Sequence, residues 1–314
     1  MKPYQSSQTA EYMAFFRALE SSRPATRRLF ADPFALHFIR PSLQRAVMLS
    51  RVPILGSLVA WYGDHRLPGA RTSAIARTRF IDDALLAFSQ ANIRQVVILG
   101  SGFDCRAYRL PQLNSVTVFE VDYASTLASK LAGLRQMLPK IPDHVRFVEI
   151  DFNHQKLPEV LAHSDFQVSR TAIFVWEGVT NYLTPAAVDS VLQYVATCHA
   201  GTRLIFTYVH SGLLDGTVDF AGAAPVLRDV ARLNEPWTFG LLPDKAPQFL
   251  RERGLCLDRD LSAREYRRQY FGAAAERMRG YDFYHVAIAY VPEQKEVKAP
   301  QETASTKSPY GQFR

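Results

Sequence analysis

Short apolar runs rich in β-branched residues occupy positions 95–99, 116–121, 145–150, 171–176 and 203–209, and amphipathic stretches separate them, most clearly at 124–138 and 185–199. Runs of this length without polar alternation read as strands buried on both faces, and their alternation with helical segments predicts a parallel, doubly wound sheet. Two later runs, 255–260 and 283–291, bring the strands to seven. The expected fold class is therefore α/β, a seven-stranded, mostly parallel sheet.

The first ninety positions follow a different rhythm. Apolar residues recur at helical spacing from Thr9 to Leu19 and again from Ile75 to Phe88, while Pro41, Pro53 and Pro68 punctuate two shorter helical pieces between them. This predicts a helical cap over residues 1–90 packed on a catalytic domain over 91–292. Residues 210–242 are longer than a simple crossover and rich in Gly and Ala, which predicts a substrate lid inserted after the fifth strand. From 293 to 314 the chain is charged, bears Pro, Ser and Thr, and has no periodicity, so a disordered tail is expected.

Composition narrows the possibilities without naming an activity. With 47% hydrophobic and 21% charged residues in 314, the chain has material for a sizeable soluble core. No apolar run approaches the ~20 residues needed to cross a bilayer and no signal segment follows Met1, so no membrane partner is expected and the cytoplasm is the default compartment. The net charge of +7 is spread along the chain with no Lys/Arg block, which argues against a nucleic-acid partner. Cys105, Cys198 and Cys256 lack metal-ligand spacing, so buried thiols and no metal are expected.

The richest chemistry lies where the first strand ends. Val96-Val97-Ile98-Leu99 runs directly into Gly100-Ser101-Gly102, two glycines that allow a tight turn and close approach of a ligand. About twenty residues later the second strand ends in Glu120-Val121-Asp122, where a nucleoside-binding α/β fold puts a carboxylate on the ribose hydroxyls. Asp122 is the expected ribose ligand, since one carboxylate accepts from both hydroxyls. A dinucleotide fingerprint needs a third small residue three positions after Gly102, and Cys105 stands there, followed by Arg106. Asp104 would sit badly beside a pyrophosphate and well beside a cation. S-adenosyl-L-methionine, with its adenosine, sulfonium and amino group and no phosphate, suits the turn better. An ordinary strand-turn-helix without a ligand is the plain alternative.

Acids also recur at the ends of successive strands: Asp104, then Glu120 and Asp122, then Asp151, then Glu177. In an open parallel sheet the ligand lies outside the carboxyl ends of the strands, so these acids are expected to line one crevice.

Four strings make the pattern specific. Ala76-Arg77-Thr78-Arg79-Phe80-Ile81-Asp82-Asp83, Leu99 to Arg109, Phe119-Glu120-Val121-Asp122 and Glu177 to Leu183, with Asp32-Pro33-Phe34 ahead of them, resemble the leucine carboxyl methyltransferase and polyketide O-methyltransferase superfamily. The likeness runs in order from about Leu29 to about Gly254 and departs from the usual pattern at Ser101 and Cys105, each a small residue for a small one. The resemblance implies a class I methyltransferase using S-adenosyl-L-methionine. It implies that Arg77 holds the cofactor's carboxylate, that Asp151 lies near the adenine amino group with Phe152 offering ring contact, and that Glu177 lies near the methionine part. It also implies that the last strand pairs antiparallel at the sheet's end. With Gly100, Gly102, Asp104 and Asp122, these are the expected cofactor contacts.

The expected function is O-methyl transfer to a carboxylate or hydroxyl of a small, polyketide-like molecule. A carboxylate, ionised at neutral pH with a pKa near ~4, needs no general base and is favoured because no base sits in a recognisable motif. A hydroxyl would need one, with His210 or His154 as candidates and Tyr182 as an orienting group. Three alternatives remain: methylation of a partner protein's C-terminal carboxylate, a nicotinamide oxidoreductase, and a pseudoenzyme that binds the cofactor or a partner without chemistry.

Overall fold

In the computed structural model, which describes residues 8–52, 56, 65, 68–89, 93–232 and 236–293, seven strands hydrogen-bond into one sheet. They are β1 (Gln95–Leu99), β2 (Thr117–Asp122), β3 (Val145–Glu149), β4 (Ala172–Trp176), β5 (Arg203–Val209), β6 (Cys256–Ser262) and β7 (Tyr284–Tyr290). Their order is β3-β2-β1-β4-β5-β7-β6; the first five are parallel and β7 runs antiparallel to both of its neighbours. Each strand begins and ends within two residues of the run that predicts it.

The last strand corrects one expectation. β7 does pair antiparallel, but it lies inside the sheet between β5 and β6. Burial explains the exchange of places. Val286-Ala287-Ile288-Ala289 are all buried, whereas β6 carries exposed Asp258 and Arg259 and a register shift between Leu257 and Arg259. A polar, irregular strand tolerates the sheet's edge and an apolar one does not.

Alternate residues of each central strand feed two cores, as a period of two requires. Val96, Ile98, Val118, Ile173, Val175 and Ile205 face the layer that contains α1 (Gln8–Ser21) and α3 (Ala70–Ser89). Val97, Leu99, Phe119, Phe174, Trp176 and Phe206 face the opposite layer, which includes the helix Pro185–Ala196. The N-terminal helices therefore share one apolar core with the sheet: Phe15, Phe16, Phe80, Ile81 and Leu85 are all buried in it. Of the two short helical pieces expected between the prolines, α2 (Pro41–Leu49) forms with Pro41 in its first turn, where a missing N–H costs nothing. The other, between Pro53 and Pro68, lies almost wholly outside the described residues, as does the expected disordered tail beyond Glu293.

The segment 210–242 leaves the end of β5, forms the helices Ser211–Leu214 and Ala223–Arg232, and returns so that Leu241 N–H donates to Val209 O at 2.9 Å. Cys105 and Cys198 are buried as expected, while Cys256, on the edge strand, is only half-buried. Among the described residues no helix is long and apolar enough to cross a membrane.

Candidate active site

β1 and β4 lie side by side, and from them the chain proceeds to opposite halves of the sheet, which opens a crevice at their carboxyl ends. The turn after β1 sits in that crevice. Gly100 and Gly102 have φ of +64° and +45°, and a Cβ on Gly100 would come within 2.3 Å of Val179 Cγ2. Glycine is required there by both backbone and space. The turn is tied to the end of β2: Gly100 and Ser101 N–H donate to Val121 O at 2.8 and 3.1 Å, and Gly102 N–H donates to Asp122 Oδ2 at 2.5 Å. Asp122 Oδ1 accepts from Tyr123 N–H at 2.7 Å. Burial pushes the Asp122 carboxyl above its usual range, and these two backbone donors work against that push.

Over this turn lies a cavity of about 940 Å³. Of the residues singled out from the sequence, Arg77, Gly100, Gly102, Asp104, Asp122, Phe152, Glu177 and Tyr182 line it. Two do not. Asp151 accepts from Tyr123 Oη at 3.0 Å and from Asn153 N–H at 3.0 Å, with His154 Nδ1 2.8 Å away, and is thereby turned aside from the wall. His210 is also absent from the wall. Its Nδ1 accepts from Gly212 N–H at 3.0 Å and caps the next helix, so the ring is committed to local structure. His154, the other base candidate, has an exposed side chain and does not reach the cavity either.

The charge around the site is organised by a buried network. Arg77 Nε lies 2.8 Å from Glu177 Oε1; Arg106 lies 2.8 Å from Glu177 Oε2, 2.7 Å from Asp82, and in contact with Asp104. Arg109 lies 2.7 Å from Asp82, and Arg17 of α1 lies 2.8 Å from Asp32 while donating to Phe103 O. Four guanidiniums thus meet four carboxylates. Burial opposes ionising Glu177, and Arg106 and Arg77 overcome it, holding the carboxyl below its usual range. Burial likewise opposes ionisation of Asp104, and Arg106 leads the groups that bring it down to about 2.

The cavity extends past β4 into a wall of rings. Tyr182 and Trp237 meet edge to face with centroids 6.3 Å apart, and Trp237 meets Tyr284 at 5.6 Å. Tyr12, Phe16 and Met13 of α1, Tyr281 before β7, and Val226, Asp229 and Val230 of the 210–242 segment complete this part. The segment expected to form a lid therefore supplies cavity wall.

A family model described as leucine carboxyl methyltransferase matches residues 10–196, more than half of the chain. A protein of Mycolicibacterium gilvum (strain PYR-GCK) is 35% identical over 259 residues, covering 80% of this chain and 74% of that one. The chain belongs to the leucine carboxyl methyltransferase family. A relative in Mycobacterium avium (strain 104) is 38% identical over 149 residues, 47% of this chain, and the chain spans about half of that protein's length, 49%. Both relatives carry the name S-adenosyl-L-methionine-dependent methyltransferase as an unconfirmed assignment. Among solved structures, a DUF574 family protein from Streptomyces avermitilis MA-4680 has the same fold, with a TM-score of 0.57 at 16% identity over 91% of this chain and 98% of that one.

In this leucine carboxyl methyltransferase family member, several wall residues escaped sequence reading. Tyr123 and Asn153 each sit one or two positions from an acid already singled out, and adjacency was their only signal. Trp237 was covered only by the expectation of a lid over 210–242, and Tyr281 and Tyr284 had no signal, because they lie at the approach to and start of the last strand, far along the chain.

Proposed function

We propose that this protein is an S-adenosyl-L-methionine-dependent O-methyltransferase acting on a small molecule. The observation that carries the reading is the contact between Gly102 N–H and the Asp122 carboxylate at 2.5 Å, which joins the glycine turn to the strand-end acid inside one crevice. A ribose seated there would find Asp122 oxygens with lone pairs still free. The donor set fits a cationic nucleoside without phosphate. Asp104, Asp122 and Glu177 all line the wall, three carboxylates that a pyrophosphate at the turn would have to approach. Ser101 Oγ, buried in the turn without a partner among the described residues, is a further group that a ligand would satisfy.

When bound, the cofactor supplies a methyl carbon whose bond to the sulfonium breaks with both electrons left on a neutral thioether, while an acceptor oxygen forms the new bond. The chain's own task is positioning, since the electrophile arrives activated. Asp122 and the glycine turn would hold the nucleoside on the β1–β2 side. Glu177, kept ionised between Arg77 and Arg106, would meet the cationic amino-acid end, with Arg77 reaching its carboxylate. The part of the cavity beyond β4 remains for the acceptor, and a volume of about 940 Å³, near the upper end of the ~300–1,000 Å³ common for ligand clefts, has room for both.

Calorimetric titration with S-adenosylhomocysteine beside NADH tests the reading. Micromolar binding of the first and none of the second is expected; the reverse order removes it. Transfer of labelled methyl to small molecules and not to peptides ending in a free carboxylate separates it from action on a partner protein.

A further inference from the structure

The helical cap carries a surface that the cavity does not use. Arg45, Met48, Leu49 and Val52 stand at i, i+3, i+4 and i+7 along α2 and the turn that continues it, in which Arg51 N–H donates to Met48 O and Val52 N–H to Leu49 O. That spacing puts the four on one face, and all four are exposed. Met48, Leu49 and Val52 are 55%, 49% and 50% exposed, three of the six large apolar side chains left in water among the described residues. The other face of α2 is ordinary: Val47 is buried, and Leu43 and Ala46 line the cavity. A single apolar residue on a surface needs no explanation; three on one stripe do.

Positive charge gathers around the stripe. Ser22 Oγ and Ser50 Oγ meet at 2.9 Å, which brings the turn after α1 beside the end of α2. Arg23, Arg27 and Arg28 follow the first serine, Arg45 and Arg51 lie to either side of the second, and Arg40 precedes α2. From Ser21 to Val52 the chain has six arginines and one acid, Asp32, which is buried and paired with Arg17. Glu20 holds Arg23 and Glu11 holds Arg40, whereas Arg27, Arg45 and Arg51 are exposed and have no carboxylate within ion-pair distance among the described residues. These arginines are too scattered in sequence to form a block, and it is the fold that collects them.

A nucleic acid would use the arginines and leave the apolar stripe in water. A second copy of this chain, seated patch to patch about a twofold axis, would set arginine against arginine. An anionic bilayer uses both parts, since its headgroups attract the arginines and its acyl boundary takes the apolar side chains. We propose that this face of the cap docks on anionic phospholipid membranes, with Met48, Leu49 and Val52 entering the interface and Arg27, Arg45 and Arg51 meeting the headgroups. This is attachment to the surface, with no spanning helix, and it departs from the sequence expectation of no membrane partner. It is independent of the reaction proposed above. α2, about 10 Å across, stands between the docked face and the cavity.

The test is sedimentation of the full chain with vesicles of equimolar phosphatidylcholine and phosphatidylserine, beside vesicles of phosphatidylcholine alone. Binding to the anionic vesicles is expected to be tighter by about tenfold or more, and to weaken as salt is raised. Arg45→Glu combined with Arg51→Glu should lower it by about tenfold or more, and Met48→Ser combined with Leu49→Ser by about tenfold with every arginine kept. All four side chains are exposed, so circular dichroism and Tm should stay close to those of the unaltered protein. Equal binding to the two kinds of vesicle, binding to neither, or undiminished binding by the arginine variant overturns the inference. Undiminished binding by the Met48→Ser, Leu49→Ser variant does so too, because a surface that needs charge alone is a site for a polyanion such as a nucleic acid. The two-vesicle comparison uses the unaltered protein, so it decides the matter even if a variant does not fold.

Discussion

Arg77 Nε stands 2.8 Å from Glu177 Oε1, and the other oxygen of that carboxylate stands 2.8 Å from Arg106. Glu177 is gripped between one guanidinium in the cavity wall and one behind it. Arg106 does not itself line the cavity, yet it holds both Glu177 and Asp104, which do. The electrostatics of the site are therefore decided one layer below its surface.

Replacing that buried arginine should be costly. Arg106→Gln leaves Asp82, Asp104 and Glu177 without a shared partner, and removing one side of a buried ion pair costs about 3–5 kcal/mol. Urea unfolding measures the loss; a change well under 1 kcal/mol would show that the network is dispensable.

The same network fixes an acid-sensitivity. A carboxylate whose folded pKa lies below its unfolded value stabilises the fold above the unfolded value and ceases to do so as pH falls through the folded one. Asp104, held at about 2, contributes stability above its unfolded value that disappears as pH drops toward about 2. In Arg106→Gln most of this protection is gone, so acid unfolding followed by circular dichroism should begin at a higher pH than in the unaltered protein.

Asp122→Ala is expected to weaken S-adenosylhomocysteine by roughly 1–3 kcal/mol, the cost of leaving hydrogen-bonding groups unpaired in a closed site. The change also frees Gly102 and Tyr123 N–H, so the turn should loosen and its amides exchange faster with solvent. Unchanged affinity in a folded variant would sink the ribose assignment.

Gly102→Val puts a branched side chain at φ +45°, where its Cβ would stand 3.3 Å from Ala10 Cβ of α1. Loss of S-adenosylhomocysteine binding is expected, together with a lowered Tm from the strained backbone. A variant with normal affinity would mean that the turn serves only to connect β1 to the helix beyond it.

His210→Ala should keep the methyl-transfer rate within about threefold, against the ~10²–10⁴ that loss of a general base costs. Its structural effect has a pH signature. Burial, and then His285, holds the His210 pKa below the usual histidine value, so Nδ1 stays unprotonated at neutral pH and accepts from Gly212. The cap is lost as pH falls through that lowered value, and the unaltered protein alone should show this step. A large fall in rate would return His210 to the chemistry.

What the sequence determined by itself is whatever lies within a single element or a single turn. Buried strands announce themselves as unbroken apolar runs, and the Gly100-Ser101-Gly102 turn with an acid about twenty residues on can be read because a βαβ unit brings its two strand ends together by construction. Tertiary structure decided the rest. That β6 takes the edge and β7 the interior depends on how much of each strand the finished sheet buries. That Asp151 turns aside while Phe152 and Asn153 reach the wall depends on Tyr123 and His154, which claim its oxygens. Asp32, Asp82, Asp104 and Glu177 meet four arginines from α1, α3 and the helix after the glycine turn, and no periodicity in the chain records which acid takes which arginine. The aromatic part of the cavity wall is assembled from α1, the 210–242 segment and the approach to β7, three stretches that become neighbours only when the sheet closes its order. Pairing energies between groups so distant in sequence exist only once the backbone has paid the entropy of bringing them together.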